Sequence, residues 1–379
     1  MKKRHLLAPG PTPVLPDALL AMARPILYHR GPEYEALLGR VRDGLKFLFQ
    51  TKHEVLLFTS SGTGGMEGTV VNTLSPGDRA LVIRSGKFGE RWGEICEAYG
   101  LQPQYIDVEW GRAVDPDTVA AALAADPAIK VVFATHTESS TGVLHPIEAI
   151  ARIVGKTPAI LVVDAIMSLG VADLPMDAWG VDVVVGGSQK GLMIPPGLAF
   201  CAVSDKAWAM VQQSRLPKFY FNFLAERKSL EKNQNTFTPA VSLVMALHES
   251  LAAVRAEGLA ALFARHDRLA RATRAAVRAL GLELFADPPT PALTAVAAPP
   301  GIEAGAIVKT MRTAHGITIS GGQAQLKGKI FRLAHLGYAD ESDVVLCLAA
   351  LERTLTDLGY PIKLGEGVRA VQEVLSQAG

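Results

Sequence analysis

Cysteine is scarce in this chain, with three in 379 residues. Cys96, Cys201 and Cys347 lie far apart in apolar surroundings, which excludes a disulfide framework and gives no ligand spacing for zinc or an iron–sulfur cluster. They read as reduced core residues of a cytoplasmic protein. Charge of one sign is also lacking: 38 Lys and Arg stand against 37 Asp and Glu, a net charge of +1. No field attracts nucleic acid or an anionic membrane, and no basic cluster with interleaved aromatics appears. No apolar run is long enough to span a bilayer. Met1-Lys2-Lys3-Arg4-His5 looks like the charged start of a signal segment, but Pro9, Pro11, Pro13 and Pro16 break any apolar stretch behind it. The C-terminal Ser376-Gln377-Ala378-Gly379 is not a peroxisomal address. Internal repeats and low-complexity segments are absent.

Apolar residues, by contrast, make up 49% of the chain and charged residues 20%, a globular balance with ample surface to bury. This length calls for one large and one smaller domain. The expected layout is an extended, proline-rich segment over 1–20, a large domain over 21–257 and a small C-terminal α+β domain over 258–379. Tyr34, Leu37, Leu38, Val41, Leu45 and Leu48 recur at helical spacing. Seven short apolar runs then alternate with amphipathic helices: Val55–Thr59, Arg79–Ile83, Gln104–Ile106, Val131–Ala134, Ile160–Val163, Val181–Val185 and Leu198–Val203. Such alternation predicts an α/β fold with a mostly parallel seven-stranded sheet. A long helical stretch over 239–280 breaks near Glu257-Gly258. Strands near Ala295–Ala297, Gly316–Ile319 and Ile330–Leu333 follow, with helices over 303–315 and 341–357.

Two of the apolar runs deliver chemistry to one sheet edge. Ile160-Leu161-Val162-Val163 ends on Asp164, and Val183-Val184-Val185 leads through two glycines to Ser188-Gln189-Lys190. An amine and an acid placed this way suit pyridoxal phosphate (PLP): lysine forms a Schiff base with the cofactor aldehyde, and the carboxylate pairs with the ring nitrogen. The plainer alternatives are a turn aspartate and a loop lysine. Against these, the mouth of a parallel sheet is where ligands bind, and the apolar flanks of Lys190 argue for a desolvated amine. Thr59-Ser60-Ser61-Gly62-Thr63-Gly64-Gly65 follows a strand and opens a helix, so its free amides and hydroxyls form a phosphate cup or simply a cap. It is neither a P-loop nor GxGxxG. Phe88 could stack on a flat ring or fill the core. His136 reads as structural, and Ser139 is better placed to reach a cofactor oxygen. Arg332, in the apolar strand Ile330-Phe331-Arg332-Leu333, needs an anion: a substrate carboxylate, or an internal Asp or Glu.

Together these residues resemble the class V aminotransferase family of PLP enzymes, which has the type I fold, and within it the alanine–glyoxylate/serine–glyoxylate group. The resemblance runs from Gly10-Pro11-Thr12-Pro13 and His29-Arg30-Gly31-Pro32 through Thr137-Glu138-Ser139-Ser140-Thr141-Gly142, Asp164-Ala165-Ile166 and Ser188-Gln189-Lys190 to Asn235-Thr236-Phe237-Thr238 and Arg332. It implies that Lys190 is the Schiff-base lysine and proton-transfer base, and that Asp164 partners the ring nitrogen. Ser61, Gly62, Thr63 and Gln189 match phosphate contacts. Ile166 and Phe88 match the two ring faces, Ser139 a contact to the ring hydroxyl, and Arg332 the substrate carboxylate anchor. It further implies a homodimer with shared active sites, in which the loop bearing Asn235, Thr236 and Thr238 reaches the partner's phosphate. Phe88 and Thr63 replace the Trp and His common in the family.

The implied activity is ping-pong transamination through pyridoxamine phosphate, from a small amino acid such as alanine or serine to glyoxylate or pyruvate. One alternative is a PLP lyase of desulfurase or kynureninase type. Cys347, in Val344-Val345-Leu346-Cys347-Leu348, sits in a buried helical pattern ill suited to the mobile nucleophile of a desulfurase. The other is a PLP-fold partner subunit of a redox complex, since some sequences of this group are labelled soluble hydrogenase subunits.

Overall fold

The computed structural model describes residues 3–377; Met1, Lys2, Ala378 and Gly379, on which the targeting expectations partly rest, lie outside the described residues. Val-, Ile- and Leu-rich runs bury both faces only within a sheet covered on both sides. In spatial order the strands are Val55–Phe58, Ala199–Val203, Val183–Gly187, Ile160–Asp164, Ile129–Thr135, Arg79–Arg84 and Gln104–Asp107. Neighbours run parallel except at Ala199–Val203, which is antiparallel to both of its neighbours. These are the seven runs expected from sequence, with one displaced by two residues. The strand expected at Val181–Val185 starts after Asp182, whose carboxylate accepts from Leu161 N and Ser204 Oγ, each at 2.9 Å. It continues through Gly186, where a side chain would meet Leu169 Cδ2 at 2.7 Å.

Every residue of Ile160–Asp164 and of Val183–Gly187 is buried. Each buried valine there contributes roughly 1.5–3 kcal/mol, so these two strands anchor the sheet centre. Their carboxyl ends carry Asp164 and, three residues past Gly187, Lys190. The helix Pro32–Phe49 starts with proline in its first turn and buries Tyr34, Leu37, Leu38, Val41, Leu45 and Leu48, the stripe its spacing predicts.

The N-terminal segment departs from expectation. Extended chain was expected through residue 20, but a helix spans Pro16–Met22. Proline at a helix start loses no hydrogen bond, and Ala18 and Ala21 are buried in the large apolar core. Before it, His5–Leu6 pairs in parallel with Ile317–Thr318. That pairing takes Ile317–Thr318 out of the three-stranded small sheet, whose antiparallel order is Leu293–Ala297, Ile330–Ala334, Ser320–Gly321.

The helices Val241–Glu257 and Leu259–Ala279 are divided by Gly258 at φ +80°, a conformation that side chains rarely adopt. Leu262 still packs in the large core, whereas Leu269, Ala272 and Val277 join a second one with Ile307, Phe331 and Leu348. A helix absent from the sequence-based expectations, Glu366–Leu375, closes this core. Buried Glu352 accepts from Gly365 N at 2.7 Å and Val368 N at 3.0 Å at its start.

Candidate active site

Strand ends converge on one edge of the sheet. Lys190 lies in the turn after Val183–Gly187, and its Nζ donates to the Pro9 carbonyl at 2.5 Å. The N-terminal segment is pinned across this turn: Thr12 N donates to Gln189 O at 3.1 Å and Thr12 Oγ1 to Lys190 O at 2.9 Å. Burial pushes the Lys190 amine down to about 8, Asp164 pulls it back up, and Arg332 and Arg91 push it further down. Asp164 is 4% exposed, and its Oδ1 accepts from Ile166 N at 2.8 Å. Burial raises its carboxyl to about 7, with Glu138 adding to the rise and Arg91 and Lys190 opposing it. A half-buried base of lowered proton affinity and a buried acid of raised affinity form a pair typical of functional sites.

Below them, Gly62, Ile166 and Gly187 pack so closely that a Cβ on Gly62 would overlap Ile166 Cδ1 and lie 2.7 Å from its Cγ1. Ser61 precedes the helix Gly62–Thr73 without a side-chain cap, so the first amides there lack intrahelical partners and suit an anion. Buried Gln189 Oε1 has no hydrogen-bond partner; amide orientation is interchangeable, so this end can donate to a phosphate oxygen as Nε2. Thr63 Oγ1 accepts from Arg91 Nη1 at 3.1 Å, and the Arg91 guanidinium lies 4.8 Å above the Phe88 ring.

Arg332 comes from the small sheet and is 5% exposed. Its Nε and Nη2 donate to Gly321 O at 3.1 and 2.8 Å, and its Nη1 to Ser139 O at 2.5 Å. No Asp or Glu among the described residues forms an ion pair with it, so the internal acid weighed as its partner is replaced by backbone carbonyls. Burial lowers its pKa to about 10. Carbonyls satisfy the donors, and Glu138 favours the charged form without pairing with it directly, which leaves the direct ion pair for a carboxylate ligand to supply. Ser139 meets Arg332 through its carbonyl, and its hydroxyl makes no hydrogen bond to a described residue.

The loop residues behave differently. Asn235, expected among the cofactor contacts, is turned inward: Tyr34 OH donates to its Oδ1 at 2.6 Å, and its Nδ2 donates to Glu226 Oε1 at 2.8 Å. Both ends of a buried amide must be paired, and these partners lie in its own chain. Thr236 N donates to Glu226 Oε2 at 2.9 Å, Thr236 O accepts from Arg30, and its hydroxyl meets Ser229. Thr238 is exposed. None of the three contacts the cluster around Lys190.

Two residues given no role from sequence belong to the site. Arg91 stands one turn after Phe88, a spacing that puts both on one helix face. Glu138 was legible only as part of a motif. It is wholly buried and accepts from Phe88 N and Gly89 N, each at 3.0 Å. His136 Nδ1 lies against Ser168 Oγ at 2.9 Å.

PLP fits these residues chemically: an amine of lowered basicity, a buried acid opposite it, a partnerless amide and an uncapped helix start. The model for class V aminotransferases matches residues 20–337. The small subunit of a soluble hydrogenase from Synechococcus sp. (strain PCC 6716) is 46% identical over 99% of both chains. L-aspartate–glyoxylate aminotransferase from Paracoccus denitrificans is 40% identical, over 97% of this chain and 95% of the relative. The crystal structure of ureidoglycine–glyoxylate aminotransferase from Bacillus subtilis superposes with a TM-score of 0.95 at 29% identity, covering 100% of this chain and 99% of the other. The mostly parallel sheet and small C-terminal sheet are therefore the PLP-enzyme type I fold, and the chain belongs to the class V aminotransferase family.

Proposed function

We propose that the protein is a PLP-dependent aminotransferase that moves the amino group of a small amino acid, alanine or serine, to a small 2-oxo acid, glyoxylate or pyruvate. The observation that carries this is the buried Arg332 guanidinium, held by carbonyls rather than by a direct ion pair and close enough to Lys190 to depress its basicity. Bound PLP would supply an aldehyde for the substrate amine and a ring that accepts electron density. Arg332 anchors and orients the substrate carboxylate. Lys190 Nζ, poised near neutrality, takes and returns the substrate α-proton. Asp164, buried and therefore in need of a cation, keeps the ring nitrogen protonated. Ser61, Gly62, Thr63 and Gln189 hold the phosphate, with the Arg91 charge beside Thr63. Ile166 and Phe88 flank the ring.

Glyoxylate as acceptor is supported by the Paracoccus and Bacillus proteins, whose names differ in donor but share it. A homodimer is part of the same proposal. Phe219 is 82% exposed and lies 5.6 Å from Phe237, which stacks on Tyr220 at 5.2 Å. A second copy would cover this patch and bring the exposed Thr238 to its neighbour's phosphate. Scattered, unpaired cysteines support a cytoplasmic location.

A second possibility, a subunit of a redox assembly, has the name of the Synechococcus relative in its favour. The desulfurase alternative is weakened by Cys347, which is 4% exposed, with burial raising its thiol to about 12.

The test is a half-reaction on purified, PLP-loaded protein. Single amino acids are added without a keto acid while the visible cofactor absorbance is followed. Bleaching by alanine or serine, reversed by glyoxylate or pyruvate, is the expected result. Release of keto acid or sulfide without pyridoxamine phosphate would make the protein a lyase. Failure to retain PLP would remove the proposal altogether.

A further inference from the structure

The helix Lys87–Ala98 carries Phe88 and Arg91 into the site, yet no residue of its own cap satisfies its first amides. The acceptors come from a turn about 50 residues away in sequence. Glu138 Oε2 accepts from Phe88 N and Gly89 N, each at 3.0 Å. Glu138 Oε1 accepts from Ser140 N at 3.0 Å and Ser140 Oγ at 2.6 Å, and Ser140 Oγ accepts from Lys87 N at 3.1 Å. Three successive amides at the positive end of a helix thus close on one carboxylate and one hydroxyl; burial raises the Glu138 carboxyl pKa, and the bonds from Ser140, Gly89 and Phe88 oppose that rise. Gly86 makes room for it: a Cβ there would lie 2.5 Å from Glu138 Cδ and overlap Ser140 Oγ.

The same turn holds the opposite wall of the site. Ser139, between Glu138 and Ser140, receives Arg332 Nη1 on its carbonyl at 2.5 Å. Glu138 also favours the charged form of Arg332. From this juxtaposition we infer that Glu138 is a positioning residue that fixes the aromatic ring of Phe88 and the guanidinium of Arg332 in one frame, setting where the substrate carboxylate lies relative to the cofactor ring. Glu138 itself touches neither substrate nor cofactor. This rests on the proposed transamination, in which Phe88 faces the ring and Arg332 binds the carboxylate.

Glu138→Gln keeps the shape but turns one acceptor into a donor that faces N–H groups, so the turn must rearrange. The experiment compares wild type, Glu138→Gln and Ser140→Ala, all PLP-loaded, for donor KM, kcat and the position of the visible cofactor band. Glu138→Gln should raise donor KM by about tenfold or more while lowering kcat less than about threefold, because anchoring of the carboxylate is lost before the chemistry. The cofactor band should shift as Phe88 moves. Ser140→Ala, which removes one link and keeps the carboxylate, should raise KM by about threefold, and it carries the test if Glu138→Gln does not fold. A merely structural Glu138 would reduce the amount of active enzyme, lowering apparent kcat at unchanged KM with an unshifted band, and that outcome overturns the inference. If wild type itself shows no donor-dependent half-reaction, it is the transamination that has failed.

Discussion

Gly10 lies directly against Lys190: a Cβ at Gly10 would overlap Lys190 Nζ and stand 2.6 Å from its Cε and 2.7 Å from its Cδ. Its φ of +132° is also a conformation that side chains rarely adopt. The neighbour that would have to give way is the flexible end of the lysine rather than backbone, so beyond the strain of the positive φ the cost of a side chain falls on function. Gly10→Ala should fold with a lowered melting temperature, elute like wild type and lose about 90% or more of its transamination rate, a misplacement penalty of the usual size for a displaced reactive group. Wild-type activity in this variant would mean that the N-terminal segment does not set the lysine's position.

Gly62→Ala probes the phosphate side. The new methyl drives Ile166 off its position under the site, while alanine at a helix start is not disfavoured. PLP affinity should fall by about tenfold or more with a thermal midpoint within about 2 °C of wild type. Equilibrium dialysis and a melting curve read both quantities. A variant that melts early but binds PLP normally would show that Gly62 matters only for packing.

Arg332→Met removes the carboxylate anchor while keeping apolar bulk. KM for the amino donor should rise by about 100-fold, and the visible spectrum of the PLP-loaded protein without donor should stay as in wild type. Unchanged KM would transfer the anchoring role to another cation such as Arg91, whose charge also acts on Lys190.

Asp164 and Lys190 also fix a pH dependence for the cofactor-free protein. Asp164 is raised from 3.8 to about 7, so between those values the folded chain holds the extra proton and stability falls as pH rises. Lys190 is lowered from 10.5 to about 8, so between those values the unfolded chain holds the extra proton and stability rises with pH. The contribution of the two groups is least favourable between pH 7 and 8. Asp164→Asn removes a buried charge and should raise the cofactor-free melting temperature at pH 8 by about 2 °C or more while abolishing transamination. A lower melting temperature would show that the carboxylate stabilises the fold through Lys190.

Much of the fold was legible along the chain because apolar periodicity is a local property. The stripe of Tyr34, Leu37, Leu38, Val41, Leu45 and Leu48 reads the same in sequence and in the helix Pro32–Phe49. The seven sheet strands appear as seven apolar runs. The helix Pro16–Met22 was hidden by the prolines that precede and open it, and Glu366–Leu375 went unseen because its start rests on the distant Glu352. The displacement of Val183–Gly187 was equally out of reach, since it depends on what Asp182 and Gly186 meet across the sheet.

For the site, the sequence by itself determined the chemical inventory: an amine in Ser188-Gln189-Lys190, an acid at the end of Ile160–Asp164, and an arginine inside an apolar strand. Residue type and strand-end position are enough for that, because side-chain chemistry does not depend on folding. Only the tertiary structure decided how these groups are held. It gave Arg332 carbonyls instead of an acid, turned Asn235 inward to Tyr34 and Glu226, and brought Arg91 to Thr63. It also closed Glu138 on the first turn of the helix that carries Phe88. Each of these joins segments distant in sequence, and burial sets their strength by removing the water that would otherwise satisfy the same groups.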